Sequence, residues 1–435
     1  MTDTIYALSS APGRAGVAVV RVSGPLARDV VTGLCGAVSE PRRATLRTLS
    51  GKTGEPVDQG LVLWMPGPAS FTGEDVAEFH VHGGRAIVQA LFDAIGGIGG
   101  SRPAEPGEFT RRAVENGRLD LTQAEAVMDL VDADTEAQRR QALLQHGGAL
   151  GQLYDVWRER LIRALAWAEA EIDFSDDELP DALIGRARAL ISEIIEEIQT
   201  HTDDSRRGEI VRDGVHIAVV GPPNAGKSSL VNALAKRDVA IVHETAGTTR
   251  DVIEVKLDLD GYAVIVSDTA GLRETSDGVE AEGVRRALAR AAAVDATLLL
   301  VDASAENPFE GVPPEVRSDA ALTIWNKTDL ARGPVGALDL SLKSGEGWEA
   351  FLSALRTLVG ATVDRAGEAP LITRARHRRA LEEAVIALTR ALGTAEPELF
   401  TEDLRLAARA IGRITGRVDV EELLDVVFRD FCIGK

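Results

Sequence analysis

Eight residues near the middle of the chain, Gly221 to Ser228 (GPPNAGKS), have the spacing of a loop that holds phosphate. An apolar run, Val215 to Val220 (VHIAVV), precedes them, and a helix-forming run, Ser229 to Lys236 (SLVNALAK), follows. In a strand, loop and helix of this kind, glycines let successive backbone N–H groups face an anion where the helix dipole also favours negative charge. Asn224, Ala225, Gly226, Lys227, Ser228 and Ser229 are therefore expected around a nucleotide. Lys227 is the candidate catalytic cation for the β and γ phosphates, and the Ser228 hydroxyl a ligand of Mg2+.

Three further motifs follow in the order that phosphoryl transfer needs. In Gly247 to Asp251 (GTTRD), Thr249 is the candidate second Mg2+ ligand. Asp268, Thr269, Ala270 and Gly271 (DTAG) follow the strand-like run Val264 to Ser267. There Asp268 can hold Mg2+ through water, and the Gly271 N–H can meet the γ phosphate. Asn326, Lys327 and Asp329, in NKTD, follow the run LTIW. The Asp329 carboxylate can accept from both N1–H and the exocyclic amine of guanine, an edge that adenine lacks. GTP is the ligand this pattern selects. Ser341, Leu342 and Lys343 make a weaker match to a last base-contacting loop. Where related switches carry a glutamine after D-x-x-G, this chain has Leu272, which cannot orient water. Glu280, one turn-rich stretch later, is a candidate that could reach back through a bridging water, with a helix cap or a solvated side chain as the plain alternatives.

These residues must be positioned by a chain of 435 residues, more than one ordinary domain. With 45% hydrophobic and 27% charged residues, it reads as globular rather than disordered or fibrous. No apolar run approaches the roughly 20 residues of a membrane span, and no basic leader precedes one, so a cytoplasmic location is expected. Cys35 and Cys432 are too few for a disulfide framework or a zinc cluster, which leaves oxygen and imidazole as metal ligands. A net charge of −20 disfavours non-specific binding to a polyanion. Arg374, Arg376, His377, Arg378 and Arg379 form a local basic run that reads as a solvated helix face.

The patterning predicts a multidomain fold. Residues 1–117 alternate in short runs and read as a small α+β domain. Residues 118–213 take helical spacing, with Leu150, Leu153, Trp157, Leu161 and Leu165 as one core stripe and Leu190, Ile194 and Ile198 as another. Residues 214–370 alternate strand and helix as a P-loop α/β domain, with Ala303 to Val316 as a surface loop. Helical spacing resumes over 371–435 through Leu381, Val385, Leu388 and Leu392, so the α/β domain interrupts an all-α one. His80 and His82 share one strand face, a spacing open to a metal pair or to a purely structural role.

Taken with SFTGEDVAEFHVHGG, PGEFTRRAVENGRLDLTQAEAVMDLV, DTAGLRETSDGVE and the terminal FCIGK, the chain resembles the MnmE (TrmE) family of tRNA modification GTPases over essentially its whole length. The resemblance implies a Ras-like GTPase domain inside a discontinuous helical domain, with a folate-binding-like amino-terminal domain that forms a homodimer. It implies hydrolysis activated by K+ when two G domains pair. The K+ ligands fall on Asn224 and on a loop containing His243, Thr245 and Thr248, and the water-orienting carboxylate falls on Glu280. A tetrahydrofolate derivative, 5-formyl or methylene in type, is implied at Arg21, Glu78, Arg118 and Lys435. Family members more often have lysine at Arg118 and a hydroxyl residue at His243. For Cys432 two readings stand, a catalytic thiol acting on the RNA base and a buried small hydrophobe.

The implied activity is addition of an aminomethyl or carboxymethylaminomethyl group to carbon 5 of the wobble uridine, U34, of tRNA. An FAD-dependent MnmG-like partner, in a heterotetramer, would carry the redox step, since no G-x-G-x-x-G turn occurs here. The rival is a GTP-switched RNA-binding or ribosome-assembly factor. It is disfavoured because neither a GXXG clamp typical of KH domains nor an aromatic-interleaved basic sheet is evident, with aromatics at only 4%. Replacing Glu280 by alanine should leave nucleotide affinity intact and lower GTP turnover in potassium buffer by about 100-fold or more; unchanged turnover removes Glu280 from the site.

Overall fold

The computed structural model describes residues 3–173, 182–204, 206–237, 239–241, 254–268, 294–363, 371–418, 424, 427–428 and 431–434. The chain divides into two compact units, Met1–Met128 with Gln145–Ile191 and Ile386–Lys435, and Asp129–Leu144 with Ser192–Val385. Among the described residues no helix is long and apolar enough to cross a membrane.

The first unit contains β1 (Thr4–Leu8), β2 (Ala15–Ser23), β3 (Thr45–Ser50), β4 (Pro56–Met65), β5 (Val76–Gly83) and β6 (Ser101–Pro103). They form one sheet in the order β3-β4-β5-β2-β1-β6. Only the β1–β6 pair is parallel. Alternation along the strands sends Val20, Val22, Val62, Trp64, Phe79 and Val81 into a core with Val30, Val31, Leu91 and Ile95 of helices Ala27–Cys35 and Arg85–Gly96. Arg21 and Glu78 are cross-strand partners on the opposite face.

A second, polar core lies at the other end of this sheet. Arg112, in helix Glu108–Glu115, is fully buried. Its Nη1 donates to the Asp3 carbonyl at 3.0 Å and to Glu74 at 3.1 Å, and its Nη2 donates to Asp3 Oδ1 at 3.0 Å and Glu108 Oε1 at 2.9 Å. Arg102 adds a two-pronged pair to Glu108, at 2.8 and 2.6 Å. Burial pushes the Glu108 carboxyl up, but hydrogen bonds from Arg102, the Glu105 N–H and Arg112 outweigh it and hold the carboxyl below its ordinary value of 4.5.

In the helical part of this unit, helix Ala149–Asp173 packs against helix Pro397–Thr415. Leu150, Trp157 and Leu161 are buried as the periodicity predicts, Leu153 and Leu165 only partly. Tyr154, Ala164 and Ala168 complete the stripe. The chain's end returns to the first sheet: Ile433 bridges to Pro106, and Ser9 Oγ donates to the Gly434 carbonyl at 3.0 Å. Gly434 has φ +100°, and a Cβ there would lie 2.2 Å from the Leu8 carbonyl oxygen, so only glycine permits this approach.

The second unit contains β7 (Val215–Val220), β8 (Glu254–Leu259), β9 (Tyr262–Asp268), β10 (Ala296–Asp302), β11 (Leu322–Asn326) and β12 (Leu338–Asp339), in the order β12-β11-β10-β7-β9-β8. All neighbours are parallel except β8 and β9. The central strands β7 and β10 are almost continuously apolar, as strands covered on both faces must be. Helices Lys227–Ala235 and Trp348–Val363 supply Leu230, Leu234, Phe351, Leu355 and Val359 to one core layer. Helix Pro314–Asp319 begins inside the stretch Ala303 to Val316, where a loop is expected from sequence.

Residues 129–144, 192–213 and 371–385, helical by periodicity, group with this sheet. The basic run is part of the reason. Arg378 is not on a solvated face: it donates to the Thr202 carbonyl and to Asp204 Oδ1, both at 2.6 Å, and to Glu209 Oε1 at 3.1 Å. Arg374 and Arg212 share Asp129 Oδ1, at 2.7 and 2.9 Å. The two chain segments flanking the α/β fold are thus braced by ion pairs whose partners lie far apart in sequence.

The sign of the Glu108 shift predicts an acid response. A carboxyl depressed by folding contributes stability above its unfolded value and loses it as pH falls through the folded one. The thermal midpoint should drop once pH passes below 4.5. Glu108→Gln should flatten that limb and cost about 3 kcal/mol at neutral pH, because Arg112 keeps its burial and loses a partner; calorimetry across pH checks both.

Candidate functional site

The sheet order reverses at β7, so a crevice opens beyond its carboxyl end, between β7 and β10. The loop 221–226 runs through that crevice. Gly221 has φ +147°, and a Cβ on it would fall 2.0 Å from the Leu300 carbonyl oxygen of β10. Gly226 has φ +106°, with a Cβ position 2.5 Å from Asn326 Nδ2. Asn224 takes φ +61°, so left-handed residues punctuate a loop that then opens helix Lys227–Ala235. Such backbone turns its N–H groups toward one concave, anion-accepting surface. Lys227 Nζ donates to the Gly221 and Pro222 carbonyls at 2.9 and 2.8 Å. Burial pushes the Lys227 ammonium below its ordinary value, opposed by the Asp268 carboxylate. Ser228 Oγ donates to Asp268 Oδ2, and Asp268 is fully buried at the end of β9. A hydroxyl and a carboxylate meeting beside the phosphate loop form an oxygen donor set that fits Mg2+.

The base-reading residues come from the next strands. Asn326 ends β11, where its Nδ2 donates to the Ala225 carbonyl at 2.7 Å and its Oδ1 accepts from the Leu342 N–H at 3.3 Å. One buried amide therefore spans the phosphate loop and the 341–343 loop. Ser341, fully buried, donates from Oγ to Asp329 Oδ1 at 2.8 Å. That bond fixes the exposed Asp329 carboxylate and leaves its other oxygen for a base. Lys327 has φ +63° and its Nζ pairs with Asp302 Oδ2 at 2.5 Å. Asp302 ends β10 and carries no motif around it, so sequence reasoning passes over it.

Known proteins can now be set beside this arrangement. A family model described as the MnmE helical domain matches residues 121–432, and one described as the GTP-binding protein TrmE N-terminus matches residues 4–118. The tRNA modification GTPase MnmE of Parvibaculum lavamentivorans is 55% identical over 440 residues, covering 100% of both chains. The chain belongs to the MnmE family of tRNA modification GTPases. The MnmE proteins of Rhodospirillum rubrum and Caulobacter vibrioides are 53% and 52% identical, each across 100% of this chain and 99% and 100% of theirs. Among solved structures, the G domain of the T. maritima FeoB iron transporter is 23% identical, covers 33% of this chain and 98% of its own, and has a TM-score of 0.26.

Of the family's site residues expected from sequence, His243, Thr245, Gly247, Thr248, Thr249, Thr269, Ala270, Gly271, Leu272, Glu280 and Lys435 lie outside the described residues. Asn224, Ala225, Gly226, Lys227, Ser228, Asp268, Asn326, Asp329, Ser341 and Leu342 converge on the crevice through the contacts above; Ser229 and Lys343 are exposed. Asn224 is also exposed, with an amide oxygen of the hard type suited to K+.

Two of the folate candidates, Arg21 and Glu78, sit on the first sheet. Arg21 Nε donates to Glu78 Oε1 at 2.9 Å, with side chains only 21% and 17% exposed, so neither is a free surface charge. The Arg21 guanidinium lies over the rings of Phe71, at 5.4 Å, and Phe109, at 5.7 Å. A planar cation lying over two rings with a carboxylate at one edge fits a flat, polar, anionic ligand such as a folate. Phe71 and Phe109 lie inside the SFTGE and PGEFT runs but carry no titratable group to draw attention. Arg118 is exposed and its Cγ lies 3.2 Å from where a Gly73 Cβ would be, against the same loop as Phe71. Cys432 is exposed rather than buried, with its carbonyl accepting from the Gly107 N–H at 3.3 Å. His82 Nδ1 pairs with Asp58 at 2.9 Å and His80 approaches Glu78 at 3.5 Å. Among the described residues no three ligating side chains gather for a metal.

Asp329→Asn should weaken guanine nucleotide binding by about 1000-fold, since the amide offers a donor to the guanine amine. The same change should admit a base with a carbonyl at that position; titrations with fluorescent guanosine and xanthosine diphosphates measure both.

Proposed function

We propose that this chain is a homodimeric, potassium-activated GTPase. With an FAD-containing MnmG-like partner, it adds an aminomethyl-type group to carbon 5 of wobble uridine U34 in tRNA. The observation that supports this reading most is the single buried amide of Asn326, which couples a phosphate loop to a guanine-reading loop. The Arg21 clamp on the first sheet supports a one-carbon donor site in the same chain.

In this reading the backbone of 221–226 and Lys227 hold the β and γ phosphates, while Ser228, Thr249 and Asp268 hold Mg2+. Asn224 and the 243–248 segment hold K+. When bound, the two cations supply positive charge where negative charge develops on the phosphoryl oxygens. Glu280 accepts a hydrogen bond from the attacking water and aligns it with the γ phosphorus, the task that Leu272 cannot perform. Arg21, Glu78, Arg118 and Lys435 bind and orient a tetrahydrofolate derivative, which supplies the one-carbon unit. Hydrolysis gates the pairing of two G domains and so the access of tRNA to the donor site. Cys432 is the thiol that acts on the RNA base in this reading, which its exposed position beside Gly107 supports over a core-filling role.

The decisive experiment compares tRNA from cells with and without the gene. Nucleoside analysis should show the carbon 5 modification of the wobble uridine lost in the deletion, restored by the wild-type gene and not by Lys227→Ala. A normal wobble nucleoside in the deletion overturns the reading.

A further inference from the structure

We infer that Arg112 is the positioning residue of the folate site: it ties the loop Ser70–Glu74 to the helix Glu108–Glu115 and thereby sets the fork of Arg21. The inference rests on the folate reading above and extends it to a residue that has no place in that reading.

The geometry is a chain of four links. Arg112 is fully buried, and its guanidinium bridges Glu74 from the loop, Glu108 from its own helix and Asp3 from the start of β1. Glu74 is then held again, by Ser23 Oγ at 2.8 Å, and Ser23 Oγ meets Thr72 Oγ1 at 2.7 Å. Ser70 Oγ donates to the Glu74 carbonyl at 2.5 Å, so both ends of the loop are pinned to its acidic residue. Between those ends stands Phe71, one wall of the Arg21 clamp. The other wall, Phe109, is three residues before Arg112 on the same helix.

The loop is also seated on the far end of that helix. Asn116 Nδ2 donates to the Thr72 carbonyl at 2.7 Å, and a Cβ on Gly73 would reach 2.9 Å from Asn116 Cβ. Arg118 lies against the same glycine. One ion-pair hub therefore governs the spacing of the two rings that hold Arg21. Arg21 spends its Nε–H on Glu78, and among the described residues no acceptor meets its two Nη groups. Those groups are the ones a ligand anion would take, and their direction is fixed by Glu78 and the two rings that the guanidinium lies over. Lysine cannot replace this bridge, because a point charge lacks the flat fork that reaches three carboxylates at once.

The test uses the full chain and 5-formyltetrahydrofolate as the probe. Arg112→Lys and, as a milder change that keeps the Ser23 contact, Glu74→Gln should each raise the dissociation constant by about 10- to 100-fold. Thermal unfolding and far-UV circular dichroism on the same samples report that the first unit is folded, and guanine nucleotide affinity reports the second. Two readouts separate positioning from mere support. Hydrogen–deuterium exchange should quicken in the peptide spanning the loop and not across the rest of the sheet. In an Arg21→Met background, Arg112→Lys should cost nothing further, because its effect runs through Arg21. Unchanged affinity in both variants, or losses that simply add, overturns the inference. Absence of binding by the wild-type protein overturns the folate reading instead, and the exchange measurement then decides alone whether Arg112 positions the loop.

Discussion

The nucleotide cradle depends on one constraint, the close passage of the phosphate loop across the ends of β10 and β11. Backbone must approach backbone at Gly221 and a side-chain amide at Gly226, where any Cβ would collide. Only then can Asn326 satisfy the Ala225 carbonyl with one end and the Leu342 N–H with the other. A buried primary amide left half-satisfied costs about 1 to 3 kcal/mol, so the two loops hold each other at a fixed spacing. That spacing is the distance between where a phosphate and a base must sit. In the proposed reading, selectivity for guanine is then a local matter, with the Ser341 hydroxyl holding the Asp329 carboxylate.

The first unit solves a related problem with charge. A ligand-facing arginine is useful only if it does not wander, and a long side chain is costly to immobilise. Arg21 is held by a carboxylate on its neighbouring strand and by two rings. The rings come from a loop and a helix that meet through a small apolar cluster of Ile5, Ala7, Ala104 and Phe109, against which Phe71 packs. Arg112, Arg102, Asp3, Glu74 and Glu108 add a network centred on the buried Arg112, with Arg102 and Asp3 on its exposed rim. Such networks define geometry more than they add stability, since desolvation offsets much of their attraction. A second network, Arg378 with Asp204 and Glu209 and Arg374 with Asp129, joins the segments that flank the α/β fold. In both networks the structure uses arginine to join segments distant in sequence.

By itself the sequence determined the elements and motifs whose parts are contiguous. The strand, loop and helix around GPPNAGKS, the NKTD tetrad, the core stripe of Leu150, Trp157 and Leu161, and family membership through FCIGK all lie within short windows. Local spacing carries them because backbone periodicity and glycine's freedom act over a few residues. Only the tertiary structure decided which charges are buried. Arg112 and Arg378 look in sequence like any surface arginine, and Arg378 sits in a basic run that reads as a solvated face. Their acidic partners stand up to 109 and 174 residues away along the chain. Nor could sequence select Asp302, Phe71 or Phe109, whose roles arise from what folds against them. Electrostatic pairing and ring stacking depend on distance in space, and that distance exists only once the sheets and helices have closed.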